Sequence, residues 1–65
     1  MNKKEYLKWI QDEIDTRRVR LDQIVELKKH NDPNSLEYKE LTRETLILNI
    51  EIGIYKKCYN RSIGR

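Results

Sequence analysis

Apolar positions recur at alternating spacings of three and four in two separate stretches of the chain. In the first they are Leu7, Ile10, Ile14, Leu21 and Ile24, with Arg17 standing where another apolar residue is due and with Tyr6 and Val25 widening the stripe. In the second they are Leu41, Thr45, Leu48, Ile52, Tyr55 and Tyr59. Such spacing is the seam of a helix packed lengthwise on another helix. Between the stretches lies His30-Asn31-Asp32-Pro33-Asn34-Ser35, where Pro33 disfavours helical backbone at Asp32 and the polar neighbours supply turn chemistry.

The pattern predicts an all-α fold, an antiparallel two-helix hairpin resembling a coiled coil. Helix 1 is expected over about residues 3–30, the turn at 31–34, helix 2 over about 35–59, and a frayed basic tail at 60–65. A short connection makes the helices antiparallel neighbours. The seams then match in length, with Ile24 opposite Leu41, Leu21 opposite Thr45, Arg17 near Leu48, Ile14 opposite Ile52, Ile10 opposite Tyr55 and Leu7 opposite Tyr59. At the start of helix 2, Asn34 and Glu37 have capping-box spacing, and Asp32 ahead of Pro33 is the competing cap.

Leu46 to Tyr55 is the only strongly apolar run and has to be buried. With period two it reads as a strand, since Leu48, Ile50, Ile52 and Ile54 share a face and isoleucine favours strands. The helical reading is preferred, because a lone strand needs partners that the charged remainder does not offer, whereas a helix satisfies its own backbone. As a helix it is apolar nearly all round: Ile47, Ile54 and Cys58 flank the seam, and Leu46 and Ile50 lie on its far side. A helix of that kind is internal. In a 65-residue chain the extra surface has to meet another copy or a different protein, and dimerisation to a four-helix bundle is expected. Gly53, inside this helix, is expected to mark the close approach of another helix.

Length sharpens that expectation. Chains of this size draw only about 3–5 kcal/mol from one core unless something staples them. A single cysteine, Cys58, excludes an intramolecular disulfide, and with one histidine, His30, it cannot complete a Cys/His metal cage. Neither cofactor nor metal is expected. Nothing in Met1 to Glu5 resembles a signal peptide, and no apolar run reaches the ~18 residues of a membrane span, so a cytoplasmic location is expected. The absence of Ala and Phe beside abundant Ile, Lys, Asn and Tyr suggests an AT-rich genome, such as that of a low-GC bacterium or its phages.

Charge is interleaved along most of the chain, as on a solvated helical face. Within it, Arg17 permits two readings: its aliphatic stem packs while the guanidinium reaches the edge, or it makes a buried polar contact that sets the register, with Glu13 one turn away as partner. His30 at a helix end suits the C-terminal dipole better than catalysis. Acid pairs such as Asp12 with Asp15 or Glu40 with Glu44 stand beside no paired nucleophile and base, so no enzymatic activity is expected.

Ile14, Arg17 and Leu21, followed by a second helix ending near a tyrosine, loosely resemble the small helical hairpins that dephosphorylate a sporulation response regulator. That family carries Ser-x-x-x-Asp on its second helix. The equivalent here is Thr45-Leu46-Ile47-Leu48-Asn49, which changes both defining residues. The resemblance therefore extends to the hairpin outline and not to the activity.

Two function classes remain. The first is a small non-enzymatic protein-protein interaction module, a regulator or inhibitor that pairs with itself and binds a larger protein through an apolar helix face carrying Trp9, Leu46, Ile47, Ile50, Ile54 and Cys58, with a phage or mobile-element origin suggested by the composition. The second is a basic nucleic-acid binder using Arg17, Arg18 and Arg20 together with the tail from Lys56 to Arg65, in which Lys57 and Arg61 interleave with tyrosines.

Overall fold

A computed structural model of the chain describes residues 1–64 and contains two helices, α1 at Lys3–Lys29 and α2 at Leu36–Ser62. They pack antiparallel on each other in a rod of 45 × 16 × 15 Å, with no strand among the described residues. The run Leu46 to Tyr55 is helical throughout. Arg65 lies outside the described residues.

Helix α1 starts where its sequence supplies a cap. The Asn2 side chain accepts a hydrogen bond from the Glu5 N–H at 2.8 Å, and Glu5 places a negative charge in the first turn. At the other end Lys28 and Lys29 complement the dipole, and the Asn31 amide donates to the Leu27 carbonyl at 2.7 Å. His30 is the C-cap and is exposed.

The turn is closed by Asp32. Its carbonyl accepts from the Ser35 N–H at 2.9 Å and from the Ser35 hydroxyl at 2.7 Å, while its carboxylate accepts from the Asn34 N–H at 2.8 Å. This Asx turn brings Ser35, rather than the expected Asn34 or Asp32, to the N-cap of α2, where its Oγ accepts from the Tyr38 N–H at 3.1 Å. Tyr38 occupies the position a capping-box Glu would need, so the reciprocal half of the box is missing. The Tyr38 ring instead takes the Lys28 ammonium at 4.6 Å from its centre, tying the two helix ends together.

Helix α2 runs to Ser62, past the expected end at Tyr59. The stop comes from Gly64, the only residue with positive φ (82°) among those described, whose N–H donates to the Arg61 carbonyl at 3.3 Å. That left-handed conformation is the usual glycine terminator, so the basic tail up to Ser62 is ordered helix rather than a frayed end.

Among the described residues six side chains make the core, and they fall into two clusters. Towards the turn, Ile24, Leu41 and Leu48 pack together; towards the open end, Ile10, Ile14 and Ile52 do so with Tyr6, Tyr55, Cys58 and Tyr59 around them. Leu21 touches both clusters. These groupings follow from the seam pairing of Ile24 with Leu41 and Ile14 with Ile52. Each buried isoleucine or leucine contributes roughly 1.5–3 kcal/mol. The core is one stripe deep, and only one side of α2 is used to build it.

Candidate interaction surfaces

Leu46, Ile47, Ile50 and Ile54 form a stripe on the side of α2 turned away from α1. Each is more than half exposed, from 56% at Ile54 to 64% at Ile50, whereas Leu41, Leu48 and Ile52 on the inner side are 6–9% exposed. Stepping ~100° per residue places the two groups roughly opposite each other on the helix. Leu36, 72% exposed, lies on the same face nearer the turn, with Glu40 and Arg43 between it and the stripe. Monomeric proteins scatter single apolar residues over their surfaces, but a continuous row on one helix face is the pattern of an interface. Gly53 lies beside this row, and a Cβ added there would meet nothing within 4 Å, so inside the hairpin no helix makes the close approach expected of it.

Trp9 and Cys58 belong to a different surface. Near the open end, Tyr6, Trp9, Ile10, Glu51, Ile54, Tyr55 and Cys58 line a groove of about 400 Å³ between the helices. Trp9 stacks on Tyr6 at 6.2 Å and meets the Tyr55 ring edge-on at 5.8 Å. Such aromatic pairs add about 0.5–1.5 kcal/mol beyond area burial. Trp9 is thus partly spent on packing within the chain, and its 43% exposure leaves one part of the ring at the groove mouth. Cys58 is a free, half-buried thiol on the groove wall. Ile54 alone joins the groove to the outer stripe.

Arg17 makes the polar contact. One Nη donates to the Glu13 carboxylate at 2.6 Å and to the Glu13 carbonyl at 3.0 Å, and its Nε lies 3.4 Å from the Glu51 carboxylate across the helix pair. Its guanidinium sits 4.7 Å over the Tyr55 ring. Nε is buried and has no hydrogen-bond partner, so the Glu51 contact is an ion pair without a directed bond. The hydrogen bond to Glu13 dominates in holding the Arg17 pKa above its ordinary value, against the opposing effect of burial. One turn further on, Arg20 forks onto Glu44 with bonds of 2.5 and 3.0 Å. That pairing raises the Arg20 pKa and lowers that of Glu44. Glu44 and Glu51 both come from α2, so Arg20 bonds the two helices to each other and Arg17 adds an undirected attraction across the pair.

These contacts dismantle the basic cluster seen in the sequence. Arg17, Arg18 and Arg20 are neighbours along the chain, but successive residues on a helix point ~100° apart. Arg17 is paired chiefly with Glu13 on its own helix and more loosely with Glu51 on α2, and Arg20 is paired with Glu44 on α2. Arg18 projects to the other side, where it lines a second groove of about 250 Å³ with Gln11, Ile14, Lys56, Tyr59 and Asn60. Lys57 and Arg61 are exposed on α2 away from that groove, and Arg65 is not among the described residues. The structure therefore unites Arg18 with Lys56 but does not gather the predicted cations into one patch. Tyr6, Tyr55 and Glu51 are surface-forming residues that periodicity alone assigned to the seam or left aside.

Among the described residues no helix is long and apolar enough to cross a membrane, and no group of three metal-binding side chains is found. Comparison of the chain with protein-family models, with curated proteins and with solved structures returned no match.

Proposed function

We propose that the chain is a non-enzymatic protein-protein interaction module whose working surface is the outer apolar face of α2. Through that face it pairs with a second copy into a four-helix assembly, and the assembly acts as a small regulator or inhibitor that docks on a larger protein. The observation that carries this reading is the row Leu46, Ile47, Ile50 and Ile54, open to solvent on a helix whose inner face is already satisfied by α1. A hairpin with so thin a core gains most from covering a second apolar stripe. The aromatic groove at the open end, rimmed by Trp9, lies to one side of the paired face and supplies the anchor for a larger partner.

Thermal melting tests the reading, since anything that binds the folded form makes the melting temperature depend on concentration. The melting temperature of the native chain should rise across a roughly hundredfold increase in concentration, while that of Ile50→Asp should stay constant. A native melting temperature independent of concentration counts against the proposal. Nucleic-acid binding is the weaker reading, because Arg17 and Arg20 are engaged by Glu13, Glu51 and Glu44. Tight, steeply salt-dependent binding to an oligonucleotide would reverse that ranking.

A further inference from the structure

The outer face of α2 carries more than apolar residues. Continued in both directions at spacings of three and four, the row reads Leu36, Glu40, Arg43, Ile47, Ile50, Ile54, Lys57 and Arg61. All eight are exposed, and none of the four charged members takes part in an ion pair within the described residues. Their order is complementary to its own reverse. When two copies of α2 run antiparallel about a twofold axis between Leu48 and Asn49, Ile47 meets the second copy's Ile50 and Glu40 meets its Lys57. In the same register Ile54 lies along the aliphatic stem of Arg43, and Leu36 lies along that of Arg61. Twofold symmetry makes each contact twice.

The parallel alternative has no such match. In register it sets Glu40 on Glu40, Arg43 on Arg43, Lys57 on Lys57 and Arg61 on Arg61. Four like-charged layers would then flank three apolar ones, and like charges directly apposed oppose association.

The two flanks of the row differ in what this arrangement sets together. Glu44 and Glu51 lie along one edge, and the antiparallel register brings Glu44 of one copy beside Glu51 of the other. Arg20 bonds Glu44 from behind and Arg17 lies 3.4 Å from Glu51, which lessens the repulsion between the two acids. Along the opposite edge Leu46 falls beside the second copy's Gly53, where the absence of a side chain leaves open space. From these features we infer that the partner on the outer face is a second copy of this chain with its α2 antiparallel, giving the layer order α1, α2, α2, α1, in which Glu40 and Lys57 are the specificity pair. This arrangement rests on the proposed role of the outer face and adds to it a register and an orientation.

A charge-reversal cycle tests it. Glu40→Lys, Lys57→Glu and the double variant are made in the full chain, and dimer dissociation constants are measured by sedimentation equilibrium. Either single change should weaken the dimer roughly tenfold, because two symmetry-related pairs turn repulsive, and the double change should restore it to within about threefold of the native value. Both positions are exposed and unpaired, so the helical signal in circular dichroism should be the same in all four proteins. A native dimer that neither single change weakens, or that the double variant fails to restore, overturns the antiparallel register and leaves the outer-face reading standing. A native chain that stays monomeric overturns both.

Discussion

Ile50 and Ile52 are the same amino acid two positions apart on one helix, yet Ile52 is 7% exposed and Ile50 is 64% exposed. The difference is purely one of azimuth: Ile52 faces α1 and Ile50 faces away from it. Everything on the inner side serves to hold the hairpin together, through a narrow seam of isoleucine and leucine reinforced by Arg17 and Arg20. The middle of the outer side, at Leu46, Ile47, Ile50 and Ile54, is just as apolar, with nothing among the described residues to cover it. Folding of the hairpin covers one of the two opposed apolar faces, and we propose that a second copy covers the other.

Truncating the two isoleucines in turn separates the inner face from the outer one. Ile52→Ala should cost about 2–4 kcal/mol of hairpin stability, read by urea denaturation at low concentration, because it opens a cavity in a core with few other contacts. Ile50→Ala should leave stability under the same dilute conditions within about 0.5 kcal/mol, as surface changes do. Equal losses at the two positions would erase the distinction between the faces.

Next in size is the effect of placing a charge on the outer face. Ile50→Asp should weaken self-association by roughly a hundredfold or more, since two carboxylates would be buried at the centre of the pair. Its circular dichroism should remain helical. Loss of helix in this variant would show that Ile50 supports the hairpin itself.

Gly53 stands inside α2, where glycine is a poor helix former. With nothing within 4 Å of the place an added methyl group would take, Gly53→Ala should raise hairpin stability by about 0.5–1 kcal/mol in dilute thermal melts. A destabilised variant would mean that a neighbour needs that space.

The smallest effect concerns pH. Chiefly through the Arg20 hydrogen bond, Glu44 titrates below its ordinary value of 4.5 in the folded chain. A group depressed by folding stabilises in full above its unfolded value, and that contribution disappears as pH falls through the lower folded one. Stability should therefore decline below about pH 4.5, and Glu44→Gln should flatten that part of the profile. The pair is partly exposed, so added salt should also diminish it.

The hairpin was legible because two seams of equal length and opposite direction leave little freedom in pairing. The outer face was legible too, since a run as apolar as Leu46 to Tyr55 exceeds what one seam uses. The cap of α2 was not, because Asp32, Asn34 and Ser35 all have capping side chains and the choice depends on how the Asp32 carbonyl folds the turn. Adjacent arginines suggested a cluster that helical rotation disperses. Trp9 was expected on the same apolar face as Ile50, whereas the antiparallel register takes it to Tyr55 and into a groove. Contacts of that kind depend on how two helices rotate about each other, and one-helix periodicity does not contain that information.

Sedimentation equilibrium of the native chain and of Ile50→Asp, side by side at micromolar concentration, decides whether a second copy covers the outer face. The native protein should sediment as a species of twice the 8.0 kDa chain mass, and the variant, still helical, as a single chain. A native chain that remains at 8.0 kDa would contradict the account, because the outer row of α2 would then face water in the working protein.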